Sequence, residues 1–225
     1  SHLPSGGLQD AIDALSPTES VAGVARALPP APRPAVRVGD TYVFGAASVR
    51  RVAAVSPTAL TWTTTDGQSF RTGRDFFTPV LEQTLPDRRI SSRLSGQPGA
   101  LWPLRVGKKV SFEETRSTVM TVFEREINTR MRWDCEVVDT RVSQVPAGDF
   151  DVFHVACTAV RPGFFLPLQT MTWDYAPSLG HYVRRTWFDG GQRRQSVLGA
   201  ALPGPLATAP RVATTLERLQ QMQQP

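Results

Sequence analysis

The sequence predicts a mainly β fold, a curved, half-barrel-like antiparallel meander preceded by a small N-terminal β meander and flanked by short helices. Three observations predict it. Short runs rich in β-branched and aromatic residues recur along most of the chain, separated by Gly, Pro, Asp and Ser. The 225 residues contain 17 Gly and 19 Pro, which favours many turns over long helices. The two cysteines, Cys135 and Cys157, lie eleven residues either side of position 146, inside a turn-like stretch between two long strand-like runs.

Residues 1–35 are expected to be helical and then Pro-rich. Leu8, Ile12 and Leu15 fall at helical spacing. Ser16-Pro17-Thr18-Glu19 then restarts a helix with a capping serine, proline at the first helical position and glutamate at the third, and Val21, Val24 and Leu28 form its stripe. Four prolines in six residues, 29–34, impose an extended segment that reads as a linker. Residues 36–82 read as a small meander with strands at 41–44, 48–55, 59–65 and 68–72. Asp66-Gly67 carries the composition of a tight type I′ hairpin turn.

Residues 83–100, polar and with no clear period, are assigned to a connecting loop. The second β region, 101–202, is expected to hold strands at 110–116, 129–144, 150–161, 168–175, 181–188 and 193–201, with 118–125 either strand or helical turn. Gly190-Gly191 makes the last hairpin turn, across which Trp187 and Arg194 face each other in a possible cation–π contact. A Pro-rich linker and a short helix, with Leu216, Leu219 and Met222 or Gln223 on one face, fill 203–225.

A simple hairpin about residue 146 sets Cys135 opposite Cys157, within reach of a disulfide. Alternation then puts Trp133, Cys135 and Val137 on one face of their strand and Phe153, Val155, Cys157 and Ala159 on the same face of the next, which makes that face the core. A bond there implies an oxidising compartment, whereas two buried free thiols would fit a cytosolic protein. Zinc is not expected, because two ligands from one hairpin do not complete a tetrahedral shell.

Catalytic parts are sparse. His154 lies on the face opposite Cys157 with Asp134 and Glu136 of the neighbouring strand, a candidate polar cluster that reads as ordinary cross-strand pairing and only remotely as a hydrolase. His181 starts a strand, where a solvated or capping imidazole is the plain reading. Asp149 and Asp151 flank a turn without the ligand series that calcium requires. No phosphate loop, zinc spacing or nucleophile elbow occurs, so neither catalysis, nor a cofactor, nor a metal is expected.

The aromatic residues suggest binding instead. Trp133, Met171, Trp173 and Tyr175 would line the concave face of the sheet, either as packed core or as the wall of an apolar pocket, with Val183, Arg185 and Trp187 alternating onto one face of the following strand. Phe164, Phe165 and Leu166 sit in an apolar loop bracketed by Pro162 and Pro167, a partner, lid or membrane-touching patch if exposed.

The net charge of +5 favours anionic partners, but the basic pairs are scattered, unlike a nucleic-acid module. No apolar run is long enough to span a bilayer. Ser1-His2 without an initiator Met reads as a remnant of cleavage, so a signal peptide or lipid-anchor cysteine would already be gone.

The stretch Val145-Pro146-Ala147-Gly148-Asp149-Phe150-Asp151, followed by Trp173-Asp174-Tyr175-Ala176-Pro177-Ser178-Leu179-Gly180-His181-Tyr182-Val183, resembles the "PAG-F" turn and "YAP-x-x-G-x-V" hairpin of the TapB-like family of bacterial envelope proteins. The resemblance covers about residues 100–190. It implies the curved half-barrel of lipoprotein carriers and a place in the envelope, and carries over no activity. Together these readings describe a non-catalytic periplasmic binding or accessory protein, lipid-anchored through a removed N-terminus or free. It would be a scaffold or partner-binding part of an envelope assembly, or alternatively a carrier or sensor of a lipid or other apolar ligand. Its partners would be another envelope protein or an apolar or anionic envelope component, with membrane-surface contact possible.

Overall fold

The computed structural model describes residues 20–22, as backbone, and 27–224. Twelve strands follow one another as an up-and-down meander: β2 (Thr41–Phe44), β3 (Ser48–Val55), β4 (Ala59–Thr64), β5 (Ser69–Gly73), β6 (Glu82–Thr84), β7 (Arg88–Gly96), β8 (Lys109–Met120), β9 (Arg125–Val145), β10 (Gly148–Val160), β11 (Gln169–Ala176), β12 (His181–Asp189) and β13 (Gln192–Leu202). Each pairs antiparallel with its sequence neighbour, and β13 pairs with β2 through Leu198↔Phe44 and Leu202↔Thr41, so the sheet closes into a barrel. The expected half-barrel is therefore a full one. Its 101–202 part and the 36–82 meander are arcs of the same wall, in which each of the twelve strands has a neighbour on both sides.

The supposed loop at 83–100 contains β7, nine residues paired with β8 from Arg88↔Met120 to Gly96↔Phe112. Its alternation is hidden because Ile90, Ser92 and Leu94 share a face, and the middle one is a serine, buried through its bond to Glu114. Residues 118–120 complete β8. The helix expected over 16–28 is contradicted at Ser20–Ala22, which forms β1 against β9 (Ser20↔Ser143, Ala22↔Arg141). β8 covers that edge of β9 only as far as Glu136, and the backbone groups beyond it take β1 as partner. Ala27 and Leu28, also expected in that helix, lie outside any helix or strand, and the remaining predicted helical residues, 1–19 and 23–26, lie outside the described residues.

Irregularities decide which side chains point inward. Val145 pairs with Gly148, so the turn is the two residues Pro146-Ala147, one residue out of step with a hairpin centred on 146. Between His154↔Asp139 and Val155↔Val137 an extra residue, Val138, bulges out of β9 and restores the step, so that Cys135 still meets Cys157. The disulfide is formed, with Cα atoms 4.1 Å apart. A second bulge, between Arg184↔Asp174 and Tyr182↔Tyr175, pushes Val183 off the face shared by Arg185 and Trp187 and puts Tyr182 there. The Asp66-Gly67 turn also differs from expectation. Only Gly67 has positive φ (+77°), and Gly67 N–H bonds to Thr64 O, giving a type I turn with a glycine bulge.

The main core includes the side chains that line the barrel interior. A smaller one lies outside it, where α1 (Ala209–Met222) lays Leu219, with Val212 and Leu216, on Val43, Val49 and Ala200. Met222, expected on that face, is exposed. Thr208 caps the helix by accepting a bond from Arg211 N–H. Gly199 is required there, since a Cβ would lie 2.5 Å from Gly45 O and 2.9 Å from a Leu219 methyl.

Candidate functional site

One end of the barrel is stoppered by the chain between β5 and β6. Phe76 turns inward and stacks on Tyr175 (4.9 Å, 7°), edge-on to Trp102 and Trp173. Asp75 pins this stopper. Its carboxylate accepts hydrogen bonds from Arg33 Nε (3.0 Å) and Trp102 Nε1 (2.8 Å), and its carbonyl accepts one from Thr78 Oγ1 (2.8 Å). The Pro-rich segment thus packs on the barrel instead of running free. Ala31 is buried and bridges Leu104, and Arg33 reaches the pin. Phe76, Asp75 and Arg33 carried no sequence signal, because their partners lie far away in the chain.

Beyond the stopper is a cavity of about 240 Å³. Its wall includes Tyr42, Trp62, Phe70, Phe76 and Tyr182, together with all four residues expected on the concave face: Trp133, Met171, Trp173 and Tyr175. Four arginines, Arg50, Arg74, Arg116 and Arg185, also line it, against the single carboxylate of Asp75, already paired with Arg33. Arg116 is neutralised by the fully buried Glu114, which also accepts hydrogen bonds from Ser92 Oγ and Trp133 Nε1.

Arg50 and Arg185 have no carboxylate partner among the described residues. Arg50 Nη1 donates to Tyr182 Oη (3.1 Å), and its guanidinium lies over Phe44 (5.3 Å) and Phe70 (5.7 Å). Arg185 lies over Trp187 (4.9 Å), and its buried Nε has no hydrogen-bond partner. The expected register Trp187↔Arg194 is present, but the cation over the indole is Arg185. His181, expected to be solvated or capping, stacks on Tyr42 (3.9 Å) among Phe44, Trp62 and Tyr182. Burial, then the charge of Arg50, push its pKa down to about 3, so it is neutral at physiological pH.

The cluster expected of Asp134, Glu136 and His154 is not assembled. The bulge at Val138 leaves His154 opposite Asp139 on one side, and on the other the register sets it opposite Asp174, whose Oδ1 is 2.6 Å from His154 Nδ1. Asp134 instead accepts from Ser111 Oγ (2.6 Å) and Arg132 Nε (3.3 Å), and Glu136 faces Ala156 and Lys109. Ser143 Oγ donates to the other oxygen of Asp174 (2.9 Å), so serine and histidine both bond the carboxylate and do not form a nucleophile–base pair. Among the described residues no group of His, Cys, Asp and Glu has the arrangement of a metal site.

Phe164, Phe165 and Leu166 form an exposed tip between β10 and β11, at 66%, 99% and 84% of full exposure. Chain direction puts this loop at the end of the barrel opposite the stopper, along with the β8–β9 turn and its exposed Val122 and Phe123.

No helix among the described residues is long and apolar enough to cross a membrane. No family model matches this sequence, and no curated protein matches it. The TapB-like resemblance is accordingly one of turn motifs. Three solved structures align with this chain at low identity. The hypothetical lipoprotein YmcC of Escherichia coli is 8% identical, with 90% of this chain and all of that one covered, at a TM-score of 0.49. An exported protein with a YmcC-like fold from Bacteroides fragilis is 14% identical, with 76% of this chain and 99% of that one covered, at 0.39. A lipoprotein from Parabacteroides distasonis is 13% identical, with 77% of this chain and all of that one covered, at 0.39.

Proposed function

We propose that this chain is a non-catalytic binding protein of the bacterial cell envelope, and that it holds a small apolar ligand inside the barrel. The observation that carries this reading is the cavity, an aromatic chamber stoppered at one end by a pinned loop. Its volume of about 240 Å³ is below the roughly 300–1,000 Å³ of drug-sized sites, which suits one extended chain. The periplasm suits the Cys135–Cys157 bond, since disulfides persist where the medium is oxidising.

The neutral fluorophore N-phenyl-1-naphthylamine tests the reading. Its emission should rise on addition of the protein, saturate at one equivalent, and weaken at least tenfold in affinity on Trp173→Ala. Absence of saturable binding, together with a ligand-free mass for protein taken from its native host, would remove the proposal. Alkylation of the denatured, unreduced chain should find no free thiol; two reactive thiols would remove the periplasmic assignment.

A second reading, docking to an envelope partner or membrane surface, is favoured by Phe164, Phe165 and Leu166, whose exposure the fold itself does not need. Ser at all three positions should leave stability and fluorophore binding unchanged while abolishing co-sedimentation with anionic phospholipid vesicles. Wild-type protein that fails to sediment would rule out a membrane role for this loop.

A further inference from the structure

The cavity is apolar by composition, yet three arginines without a carboxylate partner among the described residues line it: Arg74, which donates to Ser56 O (3.0 Å), and the pair Arg50 and Arg185. A guanidinium taken out of water without a counter-charge is strongly unfavourable, and natural proteins retain one mainly where a partner arrives later. Arg185, on β12, is mostly buried, with its Nε unbonded and, among the described residues, no carboxylate in reach. Arg50, on β3, spends one amino group on Tyr182 Oη and is otherwise surrounded by rings. Both line the same chamber, and the charge of Arg50 is near enough to act on Arg185. Neighbouring like charges worsen the position of both.

We infer that Arg50 and Arg185 form the seat of an oxyanion, so that the ligand is a single-chain amphiphile carrying a carboxylate or phosphate head. This rests on the binding reading above and adds the chemistry of the head. Guanidinium suits the role, because its fork of N–H donors matches the paired oxygens of such heads and stays charged when desolvated. Burial, partly offset by Tyr182 and reinforced by Arg50, holds Arg185 below the usual arginine range, as expected of a cation whose counter-ion is not part of the fold. His181, neutral against Tyr42, adds no third charge, and Trp173, Met171 and Tyr175 supply the apolar wall for the chain.

Four probes of equal chain length decide it: decanoate, decyl phosphate, decanol and decyltrimethylammonium, each titrated against bound N-phenyl-1-naphthylamine. Wild-type protein should prefer one or both anions over decanol by about tenfold or more, the worth of a charge-assisted pair of bonds. The phosphate-to-carboxylate ratio tells which head is favoured. Arg185→Met should bring the anions down to the decanol level without weakening decanol, and Arg185→Lys should recover part of the preference. Ligand-free Arg185→Met should melt about 2–4 °C above wild type, because an unsatisfied charge is replaced by an apolar side chain of similar length.

Equal binding of decanoate and decanol by wild-type protein would overturn the oxyanion seat and leave the apolar carrier standing. Failure of all four probes to displace the bound fluorophore would likewise overturn the seat, whereas the carrier reading is decided by binding of the fluorophore itself. A lower melting temperature for Arg185→Met would show that the charge is satisfied within the fold, and would also overturn the seat.

Discussion

Arg184 and Arg185 are adjacent on β12 and point to opposite sides of the barrel wall, and they illustrate two fates of a buried cation. Arg184 is 5% exposed and fully engaged. Its Nε faces Ser143 Oγ (3.3 Å) and Asp174 Oδ2 (3.5 Å), while its amino groups reach Gln195 Oε1 (3.1 Å) and Gln144 O (2.6 Å). Asp174, 1% exposed, is in turn shared with His154 and Ser143. Arg185 faces aromatic rings and a cavity. The charge of Arg184 is met by the protein's own groups, so it ties β9, β11 and β12 together. The charge of Arg185 meets no carboxylate among the described residues, and on the inference above it serves the head of a ligand. One strand therefore carries a structural arginine and a binding arginine, and only the partners distinguish them.

The largest effect should come from breaking the satisfied side. Asp174→Ala removes the carboxylate common to Arg184, His154 and Ser143, and should destabilise the fold by about 3–5 kcal/mol in urea unfolding. A loss under 1 kcal/mol would mean that Arg184 is no better supported than Arg185. Next, Asp174→Asn and Arg184→Met should be non-additive, with a coupling of roughly 0.5–3 kcal/mol, whereas Asp174→Asn and Arg185→Met should combine additively within about 0.5 kcal/mol.

Acid should separate the two sides further. Burial alone would raise the pKa of Asp174, but the hydrogen bond and charge of His154, with the charges of Arg141 and Arg184, hold it below the usual carboxylate range. Its contribution is therefore present above the unfolded-state pKa of about 3.9 and is lost only as pH falls through the lower folded value. His181, on the cavity side, behaves differently. Its folded pKa of about 3 lies below the unfolded value of 6.5, so the unfolded chain binds the extra proton and stability falls as pH drops from about 6.5 toward 3. The slope is about 1.4 kcal/mol per pH unit at most. His181→Gln should flatten it in unfolding measured between pH 7 and 4, and an unchanged slope would place the acid sensitivity elsewhere. The smallest effect is Arg185→Met without ligand, a gain of about 1 kcal/mol.

Much of the wall could be read in advance. Strands at 41–44 and 48–55 are where alternation and turn residues placed them, because β-branched and aromatic residues with glycine punctuation act locally. Ile90-Ser91-Ser92-Arg93-Leu94 was illegible because a serine occupies a core-facing position through its bond to a glutamate 22 residues away. The four cavity residues Trp133, Met171, Trp173 and Tyr175 were found through period-two alternation. Arg185 was placed on its face by the same rule without its role being visible, since an unpaired charge is defined by what is absent around it.

What this sequence determined alone is the local part: strands, hairpins, and which residues share a face on runs free of bulges. Those follow from side-chain shape and from turns a few residues long. The meeting of Cys135 with Cys157 came out as expected because the bulge at Val138 offsets the shifted turn. Tertiary structure decided closure of the barrel through β13 and β2, the stopper pinned by Asp75, the partner of His154 and the contrast between Arg184 and Arg185. Each depends on groups brought together from distant parts of the chain and on single-residue bulges, which change the side that a residue faces without leaving a mark in the hydrophobic pattern.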